Sequence, residues 1–281
     1  MYPPDFAYYI PNSIYEAVDF LGRYDNARPL AGGQSLLPML KLRLLNVDYI
    51  VDLNPLKELD YVSLNKDYME IGALTRYYEV LKSSIVNEKL PLLSMVIRKV
   101  GDMQVRNMGT IAGSLANADP ASDTCAVTLV FDADIVTTSS SGNRVIKARD
   151  FFKGPFTTAL AKDEIVTAIR YPILEGYKFN FVKVVRRAGD YPLVSVAVAV
   201  KLKDGVIEDL RLGYAGVSQT PYRPFEVEKS FIGKSLKDSI EDIVSKVVEG
   251  VNPPSDTRGS SSYRKEVMRN VTRKALREVM G

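Results

Sequence analysis

The sequence predicts an α+β protein built from three successive mixed units, and three observations carry that reading. Short runs rich in Val, Ile, Leu and Tyr, which suit strands, alternate with stretches whose apolar residues recur at helical spacing. The pattern restarts twice, near residue 57 and across Pro172 to Tyr177. The last unit runs strands first and helices after, joined by a hairpin-like turn.

In the first unit, Ser13-Ile14-Tyr15-Glu16 reads as a capping box, serine as N-cap and glutamate three residues on. Ile14, Ala17, Val18 and Leu21 follow at helical spacing, and Gly22 permits a stop. A short strand through Arg28-Pro29-Leu30 runs into Ala31-Gly32-Gly33-Gln34-Ser35. Leu36 to Leu44 reads as a short helix with Pro38 in its first turn, where a missing N–H costs little. Tyr49 to Leu53 is a buried strand closed by Asn54-Pro55.

The second unit begins with a strand over Tyr68 to Ala73, then helices over Arg76 to Ser83 and Leu90 to Val100. Gly101 to Ala118 reads as irregular. Asp119-Pro120 is a helix start for Ala121 to Phe131, an N-cap followed by proline at the first helical position. Strands recur at Ala133–Thr138 and Glu164–Tyr171, with a turn at Ser141-Gly142-Asn143. The third unit has strands near Asn180–Val185, Val194–Leu202 and Leu210–Ala215, with Asp204-Gly205 as a hairpin-like turn. Two or three helices follow, the last over Tyr263–Met280 with Met268, Val271, Ala275 and Val279 on one face. Asn252–Ser262 is a loop.

Composition narrows function mainly by what is missing. The 281 residues include no histidine, no tryptophan and one cysteine, Cys125. Histidine-based triads, a Cys-His pair and histidine zinc sites are therefore excluded. One cysteine supplies neither an internal disulfide nor the thiolates of an iron–sulfur cluster. Harder chemistry must come from a bound cofactor. The net charge of +3, from 37 basic and 34 acidic residues, is too small and too dispersed for a nucleic-acid binder. The basic stretch Arg264 to Arg277 is interrupted by Glu266 and reads as a solvated helix face. No apolar run approaches the ~18 residues of a membrane helix, and the start has no signal-peptide pattern, so a cytoplasmic protein is expected.

Two glycine loops stand out, Ala31-Gly32-Gly33-Gln34-Ser35 and Gly109-Thr110-Ile111-Ala112-Gly113-Ser114. Glycine lets backbone N–H groups approach an anion closely, and successive N–H groups form a concavity for phosphate. Ser35, Thr110 and Ser114 add hydroxyl donors. Neither loop is Gly-x-Gly-x-x-Gly or Walker A. The residues alone point to a phosphate-bearing cofactor and leave its identity open.

Longer runs carry a resemblance: Leu30-Ala31-Gly32-Gly33-Gln34-Ser35-Leu36-Leu37-Pro38, Val105 through Pro120, Arg187-Ala188-Gly189-Asp190-Tyr191, and Tyr263-Arg264-Lys265-Glu266-Val267. Through them the chain resembles the medium, FAD-binding subunits of the molybdenum hydroxylases, a group that includes carbon monoxide dehydrogenase, aldehyde or glyceraldehyde oxidoreductases and the flavin domain of xanthine dehydrogenase. The resemblance implies a two-part FAD-binding domain of the vanillyl-alcohol-oxidase type over 1–175, with subdomains of about 1–56 and 57–175, and an α+β C-terminal domain over 176–281. It implies cofactor contacts at Leu30, Ala31, Gly32, Gly33, Gln34, Ser35 and Leu36, at Val100 and Gly101, and at Thr110, Ile111, Ala112, Gly113 and Ser114. It adds Asp123, Val166, Lys183 and Tyr191, the last in a loop that approaches the isoalloxazine ring. No catalytic residue or metal ligand is implied on this chain. Gln34 and Asn117 stand where many relatives have histidine, and Ala112 replaces a more usual glycine.

Read without the resemblance, Asp123 is equally a dipole partner in the first turn of its helix. Val166 is core, Lys183 a solvent-facing charge, Tyr191 turn packing and Cys125 a small buried residue. The resemblance implies an electron-transfer subunit taking electrons from [2Fe-2S] clusters of a small partner subunit and passing them to an external acceptor. A large partner with a molybdenum–pterin centre would oxidise an aldehyde or similar small substrate, in a heterotrimer or its dimer. The alternatives are a free-standing FAD oxidase or dehydrogenase of the same flavin fold, and a non-catalytic nucleotide-binding assembly protein.

Overall fold

The structure is a computed structural model that describes residues 2–280. The first layer is β1 (Ala7–Tyr9), α1 (Ile14–Arg23), β2 (Ala27–Leu30), α2 (Leu36–Lys41) and β3 (Tyr49–Asp52), its strands parallel in the order β1-β3-β2. Ser13 caps α1 by accepting from the Glu16 N–H at 3.2 Å. The reciprocal arm differs from a capping box, because the Glu16 carboxylate accepts from the Asn12 N–H at 2.8 Å. Gly22 lies inside α1, and the helix ends one residue later. The second helix stops at Lys41, short of the expected Leu44. Arg43 is left-handed at φ 57°, and the N–H groups of Arg43 and Leu44 donate to Leu40 and Met39. That paired closure ends a helix without needing glycine.

The second unit runs β4 (Val62–Leu64), β5 (Tyr68–Gly72), α3 (Tyr77–Lys82), α4 (Ser84–Lys89), α5 (Pro91–Ile97), α6 (Met103–Met108), α7 (Ile111–Asn117) and α8 (Asp123–Phe131). It continues through β6 (Asp134–Ser139), β7 (Gly142–Lys147), the single turn α9 (Ala148–Phe151), β8 (Phe152–Gly154), β9 (Thr157–Thr158) and β10 (Ile165–Pro172). Its main sheet has the order β4-β5-β10-β6-β7 and is antiparallel throughout. The stretch expected to be irregular is helical in α6 and α7. Asp102 caps the first by accepting from Val105 at 2.8 Å, and Thr110 caps the second by accepting from Gly113 at 3.0 Å. Each helix is too short to display an apolar period. The start of α8 also differs: Ser122 is the N-cap, and Asp119 instead closes the preceding turn by accepting from Ala121 at 2.9 Å. Gly142 opens a strand, so the turn before it falls a residue earlier than expected.

The third unit is β11 (Tyr177–Val184), β12 (Val194–Lys203), β13 (Val206–Ala215), α10 (Phe225–Ser230), α11 (Leu236–Glu249) and α12 (Ser261–Glu278). Asp204 and Gly205 join β12 to β13 with φ values of 52° and 80°, the double left-handed geometry of a tight hairpin. Met268, Val271, Ala275 and Val279 are all buried along α12 and beyond its end. Strand β12 is buried on both faces. Val194, Val196, Val198 and Val200 pack against the helices of their own unit, whereas Ala197 and Ala199 join the core of the second unit. Period-2 alternation of large and small residues thus lets one strand serve two cores. Helix α8, buried along its whole length, fills the space between them.

Candidate functional site

All three units contribute walls to one cleft with a volume of about 520 Å³. The β2–α2 loop forms one side. The backbone N–H groups of Gly32, Gly33, Gln34 and Ser35 donate to no acceptor among the described residues. Gly33 is left-handed at φ 70°. Gly32 is required for a different reason, since a Cβ there would collide with the Met108 carbonyl. The two glycine loops therefore touch each other. Asn54 donates from Nδ2 to the Ala31 carbonyl at 3.0 Å, and the Arg76 guanidinium donates to both Met108 O and Asn54 Oδ1. These bonds tie the first layer to the second unit and hold the loops in register.

The second loop places Thr110, Ala112, Gly113 and Ser114 in the cleft. Ala112 is helical, so the alanine needs no positive φ. The N–H group of Ala112 has no acceptor among the described residues. Behind them, Ser114 Oγ shares hydrogen bonds of 2.8 Å with Ser122 and with Thr124, and Tyr77 reaches Thr124 at 3.3 Å. Burial raises the Tyr77 phenol above its ordinary pKa.

Two buried carboxylates lie in the walls, and a third acid, Asp190, lines the cleft exposed to solvent. Lys183 Nζ donates to Asp123 Oδ2 at 2.7 Å and to Lys99 O at 2.9 Å, and Ser195 Oγ donates to Asp123 Oδ1 at 2.6 Å. Burial pushes the Asp123 carboxyl up, and Lys183 and Ser195 oppose that shift without reversing it. Glu164 pairs with Arg144 at 2.6 Å. Each buried carboxylate thus has a cation beside it, which offsets its repulsion of a bound phosphate.

Of the residues that the sequence singled out, Leu30 through Leu36, Val100, Gly101, Thr110, Ala112, Gly113, Ser114, Asp123, Val166, Lys183 and Tyr191 all line this cleft. Ile111 does not, because its side chain is in the core. Lys183 is not solvent-facing, with its side chain only 7% exposed. Tyr191 stands at the mouth, and burial of its hydroxyl pushes the phenol up to about 12, with Asp119 adding to the shift and Ser35 opposing it. Gln34 is exposed and donates to the Gly32 carbonyl at 3.2 Å, while Asn117 lines the wall. Sequence reasoning missed Asn54, Arg76, Tyr77, Ser122 and Thr124. Asn54 carried a signal as part of a strand stop; the others carried none, because their roles depend on elements distant in sequence.

The donor set suits a dinucleotide such as FAD. Neutral backbone N–H groups from two loops are available for a pyrophosphate, the buried carboxylates are matched, and much of the wall is apolar.

Comparison with known proteins agrees with that fit. The family described as FAD binding domain in molybdopterin dehydrogenase matches residues 4–174, and the CO dehydrogenase flavoprotein C-terminal domain matches 179–279. The chain is 56% identical over 280 residues to the glyceraldehyde dehydrogenase medium chain of Sulfolobus acidocaldarius, covering 99% of this chain and 100% of that one. It is 32% identical over 279 residues to the carbon monoxide dehydrogenase medium chain of Hydrogenophaga pseudoflava, covering 98% and 97%. A solved structure of carbon monoxide dehydrogenase from that organism superimposes with a TM-score of 0.97 at 32% identity, covering 100% of this chain and 99% of the other.

Proposed function

The chain belongs to the FAD-binding medium subunits of the molybdenum hydroxylases, and from that premise we propose that it is the electron-relay subunit of a heteromeric hydroxylase. FAD, when bound, supplies one- and two-electron redox chemistry, and the protein supplies binding, orientation and electrostatics. The residues through 175 hold the cofactor, and those from 176 onward close over it. In this reading the Gly32–Ser35 N–H groups and those beginning the Thr110–Ser114 segment hold the pyrophosphate. Val100, Gly101 and Val166 pack beside the cofactor. Asp123 and Lys183 complete the polar wall. Lys183 uses two of the three ammonium donors within the chain, leaving one for the ligand. Tyr191 covers the flavin end.

Electrons arrive from [2Fe-2S] clusters of a small partner and leave to an external acceptor, while a large molybdenum–pterin partner oxidises an aldehyde or similar small substrate. The three form a heterotrimer or its dimer in the cytoplasm. The relative at 56% identity, a glyceraldehyde dehydrogenase medium chain, supports the aldehyde class. Among the described residues no helix is long and apolar enough to cross a membrane.

The observation that carries the cofactor assignment is the unbroken run of unpartnered N–H groups in the β2–α2 loop. Its test is the absorption spectrum of the purified chain after incubation with FAD, beside Gly33→Val and Gly113→Val. The wild type should retain a flavin spectrum through gel filtration. Both variants should lose it with an unchanged far-ultraviolet dichroism spectrum, since valine is strained at φ 70° and its Cβ at 113 would lie 2.8 Å from Thr110 Oγ1. Retention of FAD by both variants would refute the loop assignment. Co-purification with a molybdenum and an iron–sulfur subunit tests the relay.

A further inference from the structure

We propose that Asp123 is a positioning residue that seats the Tyr191 loop over the cleft by clamping together the two strands from which that loop springs. The loop leaves β11 after Val184 and re-enters the sheet at Val194. Lys183 and Ser195 are directly opposed in the β11–β12 register, one pair into the sheet from the pair that closes the loop. Side chains opposed in this way share a face, and here both reach the same carboxylate, one to each oxygen, at 2.7 and 2.6 Å. That carboxylate belongs to α8, an element of the other unit. One buried group therefore fixes the root of the loop relative to the cleft floor.

The remaining contacts distinguish root from tip. Leu193 closes the loop by donating to the Val184 carbonyl at 2.8 Å, and Lys183 also donates to Lys99 O. Gly189 rests against Gly101, where a Cβ would sit 3.4 Å from the Gly101 carbonyl. Beyond these, the side chains of Arg186, Arg187 and Asp190 are exposed and make no hydrogen bond or ion pair among the described residues. Apart from the polar contact of the Tyr191 hydroxyl with Ser35, the tip is held by packing, so its placement depends on the root. A carboxylate whose two oxygens are both engaged across a domain boundary is arranged to hold backbone in place, whatever further contact it makes with a ligand.

The inference rests on the reading that Tyr191 covers a bound flavin, but its first test needs no flavin. Limited trypsin digestion of the FAD-free chain reports opening of the loop through cleavage after Arg186 and Arg187. Ser195→Ala and Asp123→Asn, both close in shape to the native residues, should raise that rate about tenfold, the population change expected from losing a buried charged hydrogen bond. Cleavage after Arg43 and Arg258, in other loops, should stay at the wild-type rate. An unchanged rate after Arg186 and Arg187 would overturn the proposal, and so would a uniform rise at every site, which marks general loosening. In the FAD-loaded chain, Ser195→Ala should also raise residual flavin fluorescence by loosening Tyr191 from the ring, and Tyr191→Phe in the same background should leave the tryptic rate unchanged. Failure of the wild type to retain FAD would count against the flavin reading alone, because the digestion of the free chain is read separately.

Discussion

Glu164 has its carboxylate almost fully enclosed at the rim of the cleft. Thr137 Oγ1 donates to it at 2.5 Å, Arg144 donates through Nε and Nη2 at 2.6 Å each, and the Ala161 N–H donates at 2.8 Å. Burial alone would raise its pKa, but Arg144, Thr137 and the Ala161 N–H together hold it below the usual value of 4.5. The unfolded chain therefore binds this proton more readily than the folded one. The group contributes stability above its unfolded pKa and loses that contribution as pH falls through the lower folded value. Glu164→Gln should be less stable than the wild type near neutrality, and the gap should narrow on acidification through the carboxylate range. Urea unfolding at a series of pH values reads this directly; a gap that is constant with pH would contradict it. Asp123 shows the opposite direction under the same rules, because its burial outweighs its two partners. Neither environment was legible in the sequence, where both residues are single acids beside apolar runs. The cations that match them, Arg144 and Lys183, come from other strands.

At the level of elements, the turn between β12 and β13 was legible because its chemistry is local. Asp-Gly between two apolar runs specifies two left-handed residues without help from the rest of the chain. A Cβ added to Gly205, at φ 80°, would meet nothing within 4 Å, so replacement tests backbone conformation alone. Gly205→Ala should cost about 1–2 kcal/mol, the penalty of a left-handed residue with a Cβ, and should leave FAD retention intact. Chemical denaturation with a parallel flavin spectrum checks both parts. Helices α6 and α7 were illegible for the complementary reason. Each is held by one capping side chain and by packing, α6 against α3 and α7 against α8 and β10, so neither has to carry a periodic apolar face. The short strands β1, β4 and β7 were missed on similar grounds: each lies at a sheet edge and much of it is exposed, leaving little alternation to read.

Across the whole molecule, the decisive contact is α8 against β12 and β13. A Cβ on Gly213 would collide with the Ala126 carbonyl and lie 2.6 Å from Val130 Cγ2, so the two units meet at van der Waals distance only because this position is glycine. Gly213→Val should force α8 away from the sheet and cost about 1–3 kcal/mol as an overpacked core. Because Asp123 rides on α8, FAD retention should weaken together with stability. A variant that unfolds at the wild-type denaturant midpoint would show that the interface is less tight than its geometry requires. The sequence by itself determined which chemistry was excluded, because absent histidine and a lone cysteine are facts of composition. It also determined the phosphate-suited loops and the hairpin, since backbone freedom at glycine and the period of a strand are local properties. Only the tertiary structure decided that these loops touch, that both buried wall carboxylates are matched by cations, and that Asp123 bridges Lys183 to Ser195. Such pairings join residues far apart in the chain, and their energies depend on burial and distance, which arise only when the units pack.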